Sequence, residues 1–181
     1  MSIVRGWQKF ELRSGEWRLC VACNRWVADR ALLHLFRWVS RLGDGPVWYA
    51  LMLGLALLGG ERGRMAALHM AVIGLIAASL YRLLKGWTRR PRPYRSHAGI
   101  VAHIAPLDEF SFPSGHTLHA VSFSIVAIAW YPPLMTVLLP FTTLIAISRV
   151  VLGLHYPSDV IVAILIATAM AGSSVLLVFP Q

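Results

Sequence analysis

Residues 65–84 form an unbroken run of twenty with a single charged side chain, Arg82, close to its end. At 1.5 Å of rise per residue such a run makes a helix of about 30 Å, the thickness of the hydrocarbon core of a bilayer. Residues 134–154, interrupted by Pro140, and residues 159–179, with no charge after Asp159, have similar length and are expected to span as well. Residues 46–60 and 117–130 are shorter apolar runs that flanking residues can lengthen, and they end at strong breakers, Gly59-Gly60 and Pro132-Pro133. Residues 25–42 differ. Arg25, Asp29, Arg37 and Arg41 recur there at helical spacing against Trp26, Leu33, Phe36 and Val39, so this helix either spans, packed against the others, or lies in the membrane interface. The expected fold is all-α: an integral membrane six-helix bundle, its first helix spanning or interfacial, with residues 1–181 as a single domain.

Composition agrees. With 57% hydrophobic residues, a mean hydropathy of +0.62 and 14% charged residues, a chain of 181 residues carries more apolar surface than a soluble core of that size could bury. The net charge of +9 raises the question of nucleic acid, but a basic nucleic-acid-binding domain would not contain several long charge-free stretches. Eight of the seventeen basic residues precede Gly45 and five fall between Lys85 and Arg95, so the first group speaks to membrane orientation and the second to a ligand. The first nineteen residues mix charges and aromatics without an apolar core, which predicts no cleavable signal peptide. Cys20 and Cys23 make a lone C-x-x-C with no histidine at zinc spacing, and are read as two small apolar residues on an N-terminal helix.

The longest segment without apolar character is 85–115. If the 65–84 helix exits the membrane where Lys85 begins, each later span reverses direction, and Ser114, Arg149 and Asp159 fall at helix ends on that same side. Arg62 and Arg64 cap the opposite side. The arginine-rich N-terminus joins them if the first helix spans, which by the positive-inside rule makes that side cytoplasmic and turns the 85–115 face toward the periplasm or cell exterior. The cluster from Lys85 to Arg95 is an exception to that rule, which a ligand-binding role explains.

The chemistry on that face fits a phosphate. A terminal phosphate needs cations and N–H donors around its oxygens, and Lys85, Arg92 and Arg149 supply three cations. Arg89, Arg90 and Arg95 are read instead as interface-facing or headgroup contacts. In Phe-Pro-Ser-Gly-His, Pro113 stiffens the chain, Gly115 admits a close ligand, Ser114 adds a hydroxyl, and the helix that follows presents free N–H groups. His155 has a carboxylate four residues on, Asp159, which can hold one ring nitrogen while the other attacks phosphorus. His116 is then free to protonate the departing oxygen and later to activate water. His119 is expected to pack, His34 and His69 to be structural, and His97, His103, Asp108 and Glu109 receive no role.

Taken together, Lys85-x6-Arg92-Pro93, Pro113-Ser114-Gly115-His116 and Ser148-Arg149-x5-His155-x3-Asp159 resemble the three signature motifs of the type 2 phosphatidic acid phosphatase (PAP2) superfamily, with no signature position departing. The resemblance implies a metal-independent phosphatase with no cofactor and a phosphohistidine at His155. Asp159 would orient His155, His116 would serve the leaving group, and Lys85, Arg92, Ser114, Gly115 and Arg149 would hold the phosphate. It also implies a lipid phosphate as substrate on the outer side of the bacterial cytoplasmic membrane. Undecaprenyl diphosphate leads, with phosphatidylglycerophosphate, phosphatidic acid or lipid A as alternatives, and the oligomeric state is open. The soluble vanadium haloperoxidases of the same superfamily are disfavoured by the apolar spans. A non-catalytic protein that binds or transports lipid phosphates is disfavoured because His116, His155 and Asp159 are all present.

Overall fold

A backbone surrounded by hydrocarbon must pair its own N–H and C=O groups, and the apolar runs of this chain do so as helices. The computed structural model describes residues 15–27 and 29–179, and no strand occurs among them. In chain order the helices are α1 (Glu16–Trp26), α2 (Arg30–Leu42), α3 (Pro46–Leu58), α4 (Gly60–Thr88), the single turn α5 (Pro93–Ser96), α6 (Gly115–Trp130), α7 (Met135–Val151) and α8 (Pro157–Val178). The absence of a signal peptide was expected of a segment that lies largely outside the described residues.

Helix α4, helix α7 together with the 3-10 turn Pro132–Leu134 that leads into it, and helix α8 are long and apolar enough to cross a membrane, and α3 and α6 are shorter. α3 nevertheless runs the length of the bundle: Gly45, just before it, borders the cleft described below, whereas Gly59 just after it lies against the Tyr131 hydroxyl at the far end of α6. Pro140 sits in the second turn of α7 without breaking it. Small residues set the packing. Ala163, Ala167 and Ala171 recur every four residues along the buried face of α8, and a Cβ on Gly74 of α4 would meet the Phe123 ring of α6 at 2.8 Å. Around them close Trp48, Met70, Ile73, Phe123, Val126, Leu138 and Ile145. Leu53, Leu57, Leu75, Val137, Leu165 and Leu177 stand exposed on the outside, as lipid-facing side chains do.

The first element is two short helices rather than one. The helix expected over 25–42 breaks near Val27, and Asp29 caps α2 by accepting from the Ala31 N–H at 2.7 Å. α1, which lies almost wholly before that segment, and α2 within it have 11 and 13 residues, about 17 and 20 Å, against about 30 Å of hydrocarbon. Exposed Arg25, Asp29 and Arg30 at the turn could not sit among lipid tails. Both ends are tied to the same face of the bundle: Glu16 accepts from the Ser158 N–H, and Asp44, just past α2, approaches His116. The arginines of α1 and α2 therefore lie on the face of the bundle that carries Lys85.

Candidate active site

Alternating helix directions bring four distant points to one end of the bundle: the end of α4, the start of α6, the end of α7 and the start of α8. Between them lies a cleft of about 880 Å³. Lys85, Arg92, Gly115, His116, Arg149 and His155 border it at that end, and Trp48, Met52, Ala71, Gly74, Leu75 and Ala78 continue it between α3 and α4. From Lys85 back to Ala71 is about 21 Å of helix, so a charged head and a long apolar trough share one space.

His155 is buried in the loop between α7 and α8. Its Nε2 lies 3.2 Å from the Arg92 guanidinium, which can only donate, and its Nδ1 lies 3.5 Å from Asp159 Oδ2. That network assigns the proton to Nδ1, facing the carboxylate, and the lone pair to Nε2, facing the cleft. Burial, and then the Arg92 and Arg149 charges, hold the His155 imidazole well below its usual range, so it is neutral at pH 7.

Asp159 is the third residue of α8, where an acidic side chain is favoured. Its Oδ2 accepts from the Tyr156 N–H at 2.9 Å and its Oδ1 from Arg90 at 2.7 Å. Arg90 is a correction to the sequence-based expectation of an interface-facing cation. It is 1% exposed, donates also to Ser158 Oγ at 2.7 Å and Glu16 Oε2 at 2.9 Å, and stacks over the Tyr156 ring at 4.1 Å. Arg89 and Arg95 are exposed as expected, Arg95 pairing with Glu109.

Ser114 and Asp159 sit behind the cleft rather than along it. Ser114 is fully buried as the N-cap of α6, its hydroxyl 2.9 Å from Thr117 Oγ1. Arg92 donates to the Leu154 carbonyl at 2.8 Å and, with Lys85, grips the Asp108 carboxylate, Arg92 at 2.7 Å. Burial would raise Asp108, but its hydrogen bonds and charge pairing with Lys85 and Arg92 outweigh this and hold it below the usual carboxylate range. Asp108 thus bridges the two cations. Arg149 donates to Ser40 of α2.

His116, in the first turn of α6, has Asp44 Oδ1 3.2 Å from its Nε2. Burial raises the Asp44 carboxyl, partly offset by the Arg149 and His119 charges. Asp44, Asp108, Glu16 and Arg90 are the residues that sequence reasoning missed. A carboxylate between Gly43 and Gly45, and arginines at 90 and 92 flanking a proline, were the only local signals. α1 shows a related pattern: Glu16, Cys20 and Asn24, four residues apart on one helix face, contact the Ser158 N–H, the His155 carbonyl and the Val101 and Val151 carbonyls.

His119 and His69 pack as expected, whereas His34, expected to be structural, is exposed. His119 lies between Tyr81 and Phe123, with Nδ1 3.0 Å from the Gly115 carbonyl, and His69 pairs with Ser174 and Trp130. His97 stacks on Trp17, and Cys20 and Cys23 are free thiols. Among the described residues no group of three His, Cys, Asp or Glu side chains is arranged to hold a metal ion.

A family model described as the PAP2 superfamily matches residues 66–181. The chain is 30% identical over 152 residues to the decaprenylphosphoryl-5-phosphoribose phosphatase of Mycobacterium tuberculosis, covering 83% of each protein. It is 31% identical over 124 residues to the undecaprenyl-diphosphatase BcrC of Bacillus subtilis, covering 67% of this chain and 63% of that one. Its fold is similar to the crystal structure of a transmembrane PAP2-type phosphatidylglycerolphosphate phosphatase from Bacillus subtilis, with a TM-score of 0.69 and 22% identity, over 91% of this chain and 84% of that one.

Proposed function

The chain belongs to the PAP2 superfamily, a membrane lipid phosphatase in that family, and from this premise we propose that it removes the terminal phosphate of a polyprenyl-linked lipid, with undecaprenyl diphosphate as the leading substrate. Residues 1–181 act as one domain. The observation that carries the reading is the neutral His155 with its lone pair turned to a cationic pocket at the head of an apolar trough. Two relatives named for polyprenyl phosphates support the choice of tail.

In the proposed reaction the terminal phosphate displaces the Asp108 carboxylate from Lys85 and Arg92, with Arg149 and the α6 N–H groups beside Gly115 taking the remaining oxygens. His155 Nε2 attacks phosphorus as the P–O bond to the lipid breaks, and His116 gives its proton to the departing oxygen. Asp159 stabilises the cation that forms on His155, and Ser114 acts through the α6 cap. Water, deprotonated by His116, then cleaves the P–N bond, releasing inorganic phosphate and restoring both histidines. No step draws on a metal ion.

The test is phosphate release by purified protein in detergent from undecaprenyl diphosphate, phosphatidylglycerophosphate, phosphatidic acid and lipid A, each with and without excess EDTA. Release from the polyprenyl substrate that survives EDTA and is inhibited by vanadate is expected. Activity abolished by EDTA and restored by one divalent metal would overturn the mechanism, and preference for a glycerophospholipid would move the assignment to the phospholipid phosphatases. Binding of every lipid phosphate with release from none would point to a non-catalytic binding or transport protein.

A further inference from the structure

His155 is supported from behind by a helix that supplies none of the described residues lining the cleft and that precedes residue 66, where the family match begins. Along one face of α1, Glu16 Oε1 accepts from the Ser158 N–H at 3.0 Å, Cys20 Sγ lies 4.0 Å from the His155 carbonyl, and Asn24 Nδ2 donates to the Val151 carbonyl at 2.9 Å. These contacts follow the backbone from the end of α7, past the nucleophile, to the start of α8. Cys20 and Asn24 meet backbone atoms. Glu16 also reaches a charged side chain, its Oε2 accepting from Arg90 Nη2 at 2.9 Å.

Arg90 thereby stands between two carboxylates. Its Nη1 donates to Asp159 Oδ1 at 2.7 Å, and the side chains of Arg90, Asp159 and Glu16 are 1%, 0% and 14% exposed. The other oxygen of Asp159 faces His155 Nδ1 at 3.5 Å. Charge enclosed in this way is costly to leave unbalanced. Before reaction the ring is neutral, and Arg90 offsets one carboxylate. When Nε2 bonds to phosphorus and the P–O electron pair departs with the leaving oxygen, the Nδ1 proton stays and the ring becomes a cation. An arginine–aspartate pair has no net charge with which to meet it. With Glu16 the three groups carry one net negative charge, equal and opposite to the charge that forms on His155. The free N–H groups at the start of α8 favour that excess before the reaction begins.

We propose that Glu16 is a positioning residue of the nucleophile, acting through Arg90 and Asp159: it fixes the guanidinium against Asp159 and supplies the charge that balances the phosphohistidine cation. This rests on the phosphatase reading above and adds to it a group from the N-terminal helix. Its charge acts on phosphoryl transfer and leaves lipid binding unchanged.

The test separates charge from attachment. Purified protein in detergent is mixed rapidly with undecaprenyl diphosphate labelled in its terminal phosphate, below the thermal midpoint of each variant, and phosphoenzyme formation is followed against lipid concentration. Glu16→Gln keeps an acceptor for the Ser158 N–H and removes the charge. It should form phosphoenzyme about ten-fold more slowly, with the half-saturating lipid concentration within about two-fold of the unmodified chain. Glu16→Asp keeps the charge on a shorter side chain and should stay within about three-fold of the unmodified rate, even with a lower thermal midpoint. Asn24→Ala cuts another tie of α1 without altering charge, and should lower the midpoint with the rate again within about three-fold. Glu16→Gln at the unmodified rate overturns the proposal. A ten-fold loss in Glu16→Asp or Asn24→Ala also overturns it, since α1 would then act as a splint alone, and these two variants decide the matter if Glu16→Gln does not fold. Either result leaves the phosphatase reading standing. Absence of phosphoenzyme in the unmodified chain, with this lipid and with the other three of the panel above, would remove both.

Discussion

The two histidines of the cleft sit in opposite surroundings. His155 is sealed: its ring is 1% exposed, its carboxylate partner Asp159 is fully buried, and that carboxylate is clamped in turn by Arg90, which Glu16 of α1 holds from behind. His116 is nearer the open cleft, at 11% exposure, and its partner Asp44 is 38% exposed on a turn between two glycines. In the proposed reaction the nucleophile makes and breaks one bond along one line, which a fixed ring favours. The proton carrier meets the leaving oxygen first and water afterwards, which requires access.

The largest effects should separate the two histidines by step. His155→Ala is expected to lower turnover by 10⁴-fold or more, on the order seen when a nucleophile is removed, and to abolish any phosphoenzyme while the protein remains folded in detergent. His116→Ala should cost about 10² to 10⁴-fold in steady state, yet still form phosphoenzyme from a diphosphate, whose leaving group needs little protonation. Trapping under alkaline quench distinguishes them, and equal loss of phosphoenzyme in both variants would erase the contrast. Asp159→Asn should retain only trace activity.

The clamp comes next. Arg90→Met leaves the Asp159 charge buried without its partner, and removing one member of such a pair costs about 3–5 kcal/mol, read as a lower thermal midpoint in detergent. Glu16→Gln keeps the Arg90–Asp159 bond and should cost about 1 kcal/mol. Asp44→Asn belongs to the open end and should act on rate rather than stability: about ten-fold lower kcat, KM unchanged, a displaced acid limb in the pH profile, and partial rescue by Asp44→Glu. A large loss of stability there would show that the open end is as rigid as the sealed one.

The smallest effect is on acid stability. Burial holds His155 well below its ordinary value of 6.5 in the folded chain, whereas an unfolded chain lets it titrate there. As pH falls below about 6.5 the unfolded state takes up a proton that the folded state refuses, so stability declines with acid. His155→Asn should flatten the thermal-midpoint curve between about pH 6.5 and 5. Asp108 is also depressed, and its contribution, present above about pH 3.8, is lost only as pH falls below that value. A curve unchanged by His155→Asn would mean that the ring is hydrated in solution.

Legibility followed the range of the interactions. The run at 65–84 marked α4, but the helix extends to Gly60 and Thr88 because hydrogen bonding continues past the hydrocarbon boundary into turns that carry Glu61, Arg62, Arg64 and Lys85. Lys85, Arg92, Arg149 and both histidines stood out because each lies in a short motif, and these five residues with Gly115 do border one cleft. Arg90 lay inside the same motif and was still misplaced, since nothing in Arg-Arg-Pro-Arg distinguishes a buried guanidinium from an exposed one. The amphipathic pattern of 25–42 showed a helix without showing its depth, because a stripe of apolar residues suits both a bundle and a headgroup layer.

From the sequence alone came the helical membrane fold, the grouping of Lys85, Ser114, Arg149 and Asp159 at one end, and the His155–Asp159 pair, because hydropathy and one-turn spacing are local properties. Packing alone decided that Glu16 holds Arg90, that Asp44 attends His116, that Asp108 fills the pocket, and that the N-terminal arm lies on the site face. The Glu16–Ser158 contact joins residues 142 apart, and a pairing at that separation exists only once the helices between them have packed.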